Sequence, residues 1–216
     1  MDKLSYTLGY IDEDDGQKTT FFNHFKDDYE KVTLFDLTAE TTVDSLIKDI
    51  EDSKLNLLII DYELTGDGEV DFDADELVEA LLVKYPHYPY IILTSNENDA
   101  IDHIHDPNVI YCKEDLTDRL TFFKSVVKSN IEEYLEKIDF HERVIEELVK
   151  KKIHEGLDPK EEEALSRAFI YLDDIYINDK ELPANLMEYR EQTNLNNLAK
   201  EAKEIKELLQ SLKHDS

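Results

Sequence analysis

A chain of 216 residues with 41% hydrophobic side chains can bury a sizeable core and has room for one compact domain plus an appendage. Its formal net charge of -28 argues against binding to nucleic acid, which needs clustered Lys and Arg to hold phosphates. The single cysteine, Cys112, excludes an intramolecular disulfide and a cysteine-based zinc site, and fits a reducing compartment. The opening MDKLSYTLGYIDED has no basic segment leading into an apolar run, and no apolar stretch approaches the ~20 residues that span a bilayer. A soluble, cytoplasmic protein with no membrane partner is expected.

In chain order, Leu4 to Ile11 is an apolar run that empties into Asp12-Glu13-Asp14-Asp15 and reads as a first strand. Phe21, Phe22, Phe25 and Tyr29 recur at three- and four-residue spacing, which predicts an amphipathic helix. Val32 to Leu37 reads as the second strand. Val43, Leu46, Ile47 and Ile50 repeat the helical spacing, with Thr41 or Thr42 available as a cap. Leu57-Leu58-Ile59-Ile60-Asp61 is the central feature: four consecutive apolar residues suit a strand buried on both faces, and its far end carries a carboxylate. Leu77, Val78, Leu81 and Leu82 supply the next helix, Tyr90 to Leu93 a fourth strand ending in Thr94-Ser95, and Ala100, Ile101 and Ile104 a short helix. Val109 to Cys112 is the fifth strand, ending at Lys113. Strand and helix alternate throughout, the pattern of a parallel sheet with right-handed crossovers.

The charge is uneven along the chain. Residues 1–116 carry 8 basic and 29 acidic side chains, whereas 117–216 carry 16 and 23. The second part reads as helical. From about Thr117 to Glu155 there is no Gly or Pro, and apolar residues from Leu120 through Phe123, Val127, Tyr134, Ile138 and Ile145 to Leu148 keep helical spacing. Such a helix would be about 58 Å long at ~1.5 Å per residue, more than a five-stranded sheet can cover, so part of it is expected to project. Gly156 can stop it, and Asp158-Pro159 followed by acids at 161–163 starts another helix with an apolar face of Ala164, Leu165, Ala168, Phe169, Leu172 and Ile175. After a turn at 178–183, Leu195, Leu198, Ala202, Ile205, Leu209 and Leu212 alternate three and four, a heptad seam that predicts a coiled coil.

In an open α/β sheet, ligands bind beyond the carboxyl ends of the strands. The ends here contribute Asp12 and Glu13, Asp61, Thr94 and Lys113. Clustered acids with one Lys and one hydroxyl suit magnesium-assisted phosphoryl transfer: Asp61 as nucleophile, Lys113 as a compact positive charge for the phosphoryl oxygens, Thr94 as hydroxyl donor. This ordered set resembles the receiver domain of two-component response regulators over roughly residues 4–125. The resemblance implies an α/β, flavodoxin-like fold: a five-stranded parallel sheet in the order 2-1-3-4-5 with helices on both faces, here followed by a helical region. It implies phosphorylation of Asp61 by a histidine kinase or phosphotransfer protein. It further implies Mg2+ held by Glu13, Asp61 and the backbone carbonyl of Glu63, with Asp12 acting through a water, and Thr94 and Lys113 gripping the phosphoryl group.

The chain departs from that pattern at three places. Thr65 and Glu114 stand where the family has prolines, and Ile110 stands where it has a switch aromatic, with Tyr111 one place later on the opposite face. Other motifs do not hold up. The acidic run 67–76 lacks the glycine and terminal glutamate of a calcium loop and reads as a solvated loop; Gly16-Gln17-Lys18-Thr19 lacks the earlier glycine of a phosphate loop. His103 and His105 read as surface residues, and Cys112 as a small hydrophobe packed in the core. The expectation is a receiver-like domain, 1–125, and a helical interaction or dimerisation region, 126–216. It would be a phosphoacceptor signalling protein rather than an enzyme, passing its signal to a protein partner through residues 117–216, with a homodimer open. The other reading is a pseudo-receiver scaffold that binds partners without phosphorylation.

Overall fold

The computed structural model describes residues 3–66, 68–95, 100, 101, 103, 104 and 106–175. They fall into two units, Met1–Ile138 and Asp139–Ser216. The first contains strands β1 (Leu4–Ile11), β2 (Tyr29–Phe35), β3 (Leu57–Asp61), β4 (Tyr90–Thr94) and β5 (Ile110–Cys112), with helices α1 (Asp15–Phe25), α2 (Val43–Ser53) and α3 (Ala74–Lys84). A long helix, α4, covers Leu120–His154, and α5 covers Pro159–Ile175. The division between units falls within α4, as does position 125/126. No helix among the described residues is long and apolar enough to cross a membrane.

All four strand pairings are parallel, and the order is β2-β1-β3-β4-β5. The period of two along β3 explains why its sequence is apolar throughout. Leu58 and Ile60 join a core with Leu46, Ile50, Leu77 and Leu81 from α2 and α3. Leu57 and Ile59 join the opposite core with Phe21 and Phe25 from α1 and with Phe123, Val127 and Ile131 from the start of α4. Helices therefore cover both faces, and β3 is buried at all five positions.

Local chemistry sets the element ends. Thr42, not Thr41, caps α2: its hydroxyl accepts from the Ser45 amide at 3.2 Å, and Ser45 Oγ accepts from the Thr42 amide at 2.9 Å. The spacing that placed Tyr29 on α1 misassigned it. The helix ends at Phe25, and Tyr29 is the first residue of β2, opposite Leu4 of β1. The Leu4 amide donates to Asp28 O at 2.8 Å, which draws the chain into the sheet, while the Tyr29 ring still lies 5.8 Å from Phe25 in the same core. Shared burial, not shared helix, produced the spacing. Phe22 from the same set is 39% exposed. Val109 belongs to a 3-10 turn, so β5 starts at Ile110. Cys112 is not a core residue: at the end of the edge strand it is half-buried, and its Sγ donates to Glu114 Oε2 at 2.6 Å.

In the second unit Ile145, Val149, Leu165, Ala168 and Leu172 are buried. The His141 ring stacks on Tyr171 at 4.1 Å, and Lys151 pairs with Glu161. Gly156, at φ 81°, ends α4 in the left-handed region. Asp158 Oδ1 accepts from the Lys160 and Glu161 amides at 2.8 and 3.0 Å, and Glu161 Oε2 accepts from the Asp158 amide at 3.0 Å, a capping box at the start of α5. Ala164, expected on the apolar face of this helix, is exposed. The turn at 178–183 and the seam Leu195 to Leu212 lie outside the described residues.

Gly9, mid-strand in β1, sits beneath side chains of the two neighbouring strands and of the loop that leads into β3. A Cβ there would come within 2.3 Å of Leu55 Cδ1 and 3.0 Å of both Leu58 Cδ1 and Phe35 Cε2. All three neighbours are buried and have little room to yield. Gly9→Val should destabilise the protein by about 1–3 kcal/mol, read as a lowered denaturant midpoint at unchanged slope.

Candidate functional site

Parallel pairing brings the strand ends to one rim. Ile11 pairs with Ile60, so Asp12 and Asp61, next along each chain, emerge side by side; Asp61 pairs with Leu93, and Thr94 with Cys112. Asp12 is 0% exposed, Asp61 and Thr94 are 3% exposed, and Glu13 is half-buried. Carboxylate oxygens of Asp12, Glu13 and Asp61 lie within 4.8 Å of one another. Lys113, just past β5, reaches between two of them, with Nζ 3.1 Å from Asp12 Oδ2 and 3.0 Å from Asp61 Oδ2. Asp12 also accepts from the Tyr10 hydroxyl at 2.5 Å and from the Asp14 amide at 2.9 Å. Asp14 in turn caps α1, accepting from the Gly16 and Gln17 amides.

Three acids face one lysine in a largely desolvated pocket, and the titration behaviour follows. Burial, followed by the charge of Asp12, raises Asp61 to about 7 despite the opposing pull of Lys113. Burial also raises Glu13. For Lys113 burial acts downward, but Asp61 and Asp12 outweigh it and the ammonium is held above its usual range. Burial, reinforced by Asp12, pushes the Tyr10 phenol far upward, which keeps it a hydrogen-bond donor.

The donor set fits a hard divalent cation. All of its atoms are carboxylate oxygens, two residues sit at adjacent strand ends, and Glu13 Oε2 is buried without a hydrogen-bond partner. Among the described residues no other cluster of three such side chains converges. Glu63 lies two residues beyond Asp61 in the loop that follows β3, exposed to solvent.

The loop between β3 and α3 holds residues whose roles the sequence reading missed. Asp73 Oδ1 accepts from the Leu64 amide at 2.9 Å, the Thr65 amide at 3.2 Å and the Thr65 hydroxyl at 3.1 Å. Thr65 thus supplies a hydrogen-bonded anchor. The acidic run is not a fully solvated loop, because Val70 and Phe72 are buried. Their alternation with Asp71 and Asp73 was the available signal. At Gly66 a Cβ would come within 3.0 Å of Glu13 Oε1, so the loop packs closely on the acidic cluster. Beside the cluster lies a polar cleft of about 510 Å³, whose lining includes Glu13, Asp36, Glu69 and Lys18. Lys18 is buried and pairs with Asp15 at 2.8 Å and Asp36 at 3.5 Å. His103 is exposed on a helical turn, and His105 lies outside the described residues. Ile110 packs with the α2 and α3 core, whereas Tyr111 packs on the other face, its ring 6.1 Å from Phe123.

No protein-family model and no curated sequence matches the chain. Among solved structures it is similar to the N-terminal receiver domain of a two-component response regulator from Bacteroides fragilis (14% identity, 59% of this chain and 98% of that one, TM-score 0.46). It is likewise similar to the receiver domain of a putative Luxo repressor from Vibrio parahaemolyticus (20% identity, 61% and 93%, TM-score 0.45). A third similar chain is the RcsB response regulator of Salmonella typhimurium, a structure concerned with DNA interaction (17% identity, 87% and 98%, TM-score 0.45). The class that the strand order defines is a flavodoxin-like parallel α/β fold, and that order stands on the strand pairing itself. Receiver domains of response regulators are what this chain resembles.

The raised Asp61 has a consequence for stability. Its folded value of about 7 exceeds the ~3.9 of an unfolded aspartate, so the folded state binds the extra proton and stability falls as pH rises through that window. In chelator, the melting temperature of the wild type should drop relative to Asp61→Asn between roughly pH 4 and pH 7, then run parallel above it. Curves that stay parallel across the whole range would contradict the assignment.

Proposed function

We propose that the first unit is a receiver-like phosphoacceptor and that Asp61 takes the phosphoryl group. The observation that carries this reading is the placement of Asp61 at the end of the central strand, with its Oδ2 3.0 Å from Lys113 Nζ and with Asp12 and Glu13 beside it. An ionised Asp61 oxygen would attack phosphorus as the bond to the donor, a phosphohistidine of a kinase or phosphotransfer protein, breaks. The released imidazole takes up a proton. Lys113, held between Asp12 and Asp61, would turn its ammonium toward phosphoryl oxygens, and Thr94 would offer its buried hydroxyl at the neighbouring strand end. Glu13, Asp61 and the carbonyl of Glu63 would hold Mg2+, with Asp12 behind a water. Mg2+ bound there offsets the clustered negative charge and screens the carboxylate from an incoming phosphate.

In this reading the protein is not an enzyme acting on a separate substrate. It is a cytoplasmic signalling component whose output passes to a downstream protein through residues 117–216. Phe140, Ile153 and Ile170, respectively 54%, 64% and 59% exposed, offer apolar surface for such a partner or for a second copy. A net charge of -28 argues against a nucleic-acid target. Two observations favour the pseudo-receiver reading: Lys113 and Tyr10 already occupy Asp12 Oδ2, and Asp61, raised to about 7 by burial, is only partly ionised at neutral pH, so the site could rest without phosphate.

The two readings separate on a direct assay. Incubation with a small phosphodonor and Mg2+ should label the wild type and leave Asp61→Asn unlabelled, because an amide is not a nucleophile. Beryllofluoride with Mg2+ should raise the wild-type melting temperature by binding the folded state alone. Absence of both responses would select the scaffold. Charged replacement of Leu198 and Ile205 together should split a dimer or unfold the helical region while beryllofluoride binding persists. Light scattering and circular dichroism identical to wild type would remove the seam as an interface.

A further inference from the structure

Tyr10 is a buried polar side chain that phosphoryl transfer leaves unused. It is 0% exposed on β1, and its ring stacks on Phe21 at 4.1 Å and 11°. Packing alone would be served by phenylalanine, yet the hydroxyl donates to Asp12 Oδ2 at 2.5 Å. Residues two apart on a strand share a face, so position 10 lies directly behind Asp12. Lys113 Nζ approaches the same oxygen at 3.1 Å, and the Asp14 amide donates to Oδ1 at 2.9 Å. A carboxylate oxygen has two lone pairs, so Oδ2 is fully used by Tyr10 and Lys113, and Oδ1 retains one.

The bond acts unequally on the empty and loaded site. A phenol that donates to a carboxylate aims the positive end of its O–H dipole at that group, and such a bond is strongest when the acceptor carries its full charge. A divalent cation nearby draws on the same charge and is repelled by the same dipole. Tyr10 therefore stabilises the site without a cation more than the site with one.

We propose that the Tyr10 hydroxyl is a built-in counter-donor that stabilises Asp12 when no cation is present and thereby lowers the affinity of the acidic cluster for divalent cations. Tyr10 is a positioning residue that acts through Asp12. The proposal rests on the reading of Asp12, Glu13 and Asp61 as a Mg2+ site.

The test is a Mg2+ titration of the full chain, followed by calorimetry and by melting temperature, on wild type, Tyr10→Phe and Phe21→Leu. Tyr10→Phe keeps the ring stack and loses the donor; it should melt lower than wild type in chelator and bind Mg2+ roughly three- to tenfold more tightly. Phe21→Leu loses the stack, keeps the donor, and should leave the Mg2+ midpoint where it is. In chelator, Tyr10→Phe and Asp12→Ala should be non-additive in a double-mutant cycle, since each removes the same bond. Additive effects overturn the inference. So does a wild type that binds Mg2+ with a midpoint unchanged or weakened in Tyr10→Phe, or a shift of equal size in Phe21→Leu; in these cases the metal site itself stands. If neither wild type nor Tyr10→Phe responds to Mg2+, the metal-site reading fails and the inference falls with it.

Discussion

The buried bridge from Asp12 through Lys113 to Asp61 is the interaction on which the rest of the site depends. Two carboxylates at neighbouring strand ends, 0% and 3% exposed, would repel at close range in a poorly solvated place. Lys113 relieves that repulsion by reaching both, and it can do so because β5 ends one strand beyond β4 with its next residue turned toward the rim. The relief is incomplete. Asp61 remains shifted upward and Glu13 Oε2 lacks a partner, so the site is arranged to gain from a further positive charge. Removing one partner from a buried pair of this kind typically costs about 3–5 kcal/mol, much of it the penalty of the charge left behind. The bridge is therefore a fold constraint that leaves part of the clustered negative charge unbalanced.

The sheet gives that bridge its precision. Residues of β1 and β3 alternate between the two cores, so the strands are clamped from both sides up to their last apolar residue. Strand ends locked in this way hold side chains more rigidly than loops do. The loop after β3 is tied by Asp73 to Leu64 and Thr65 and packs through Gly66 against Glu13. The acidic sequence that looked like solvent-exposed ballast is, at Asp73, part of what shapes the rim.

Much of this was legible in one dimension. The five strands, their alternation with helices and the residues at strand ends follow from apolar periodicity and from where polar residues interrupt it, and the cap alternatives at Thr41 and Thr42 narrowed α2 to a residue. Signals that depend on which neighbour a side chain finds were not legible. Tyr29 kept helical spacing because it shares a core with Phe25, although backbone pairing with β1 places it on a strand. Cys112 is apolar in character but ends an edge strand, where Glu114 offers a better partner than the core. Lys18 sat in a discarded phosphate-loop echo, and its burial between Asp15 and Asp36 requires α1 and β2 to be brought together.

The sequence by itself determined the class of fold, because burial on one or both faces dictates period and β3 could be apolar at every position only inside a doubly covered sheet. It also determined which residue types reach the rim, since a strand that ends in an acid or a lysine must present it there. Only the tertiary structure decided how those groups meet. Lys113 spans Asp12 and Asp61 rather than one of them, Tyr10 lies beneath Asp12 as a donor, and one oxygen of Glu13 is left over. The Lys113 contacts depend on interstrand register, which brings together residues about fifty and about a hundred apart in sequence and has no local signature.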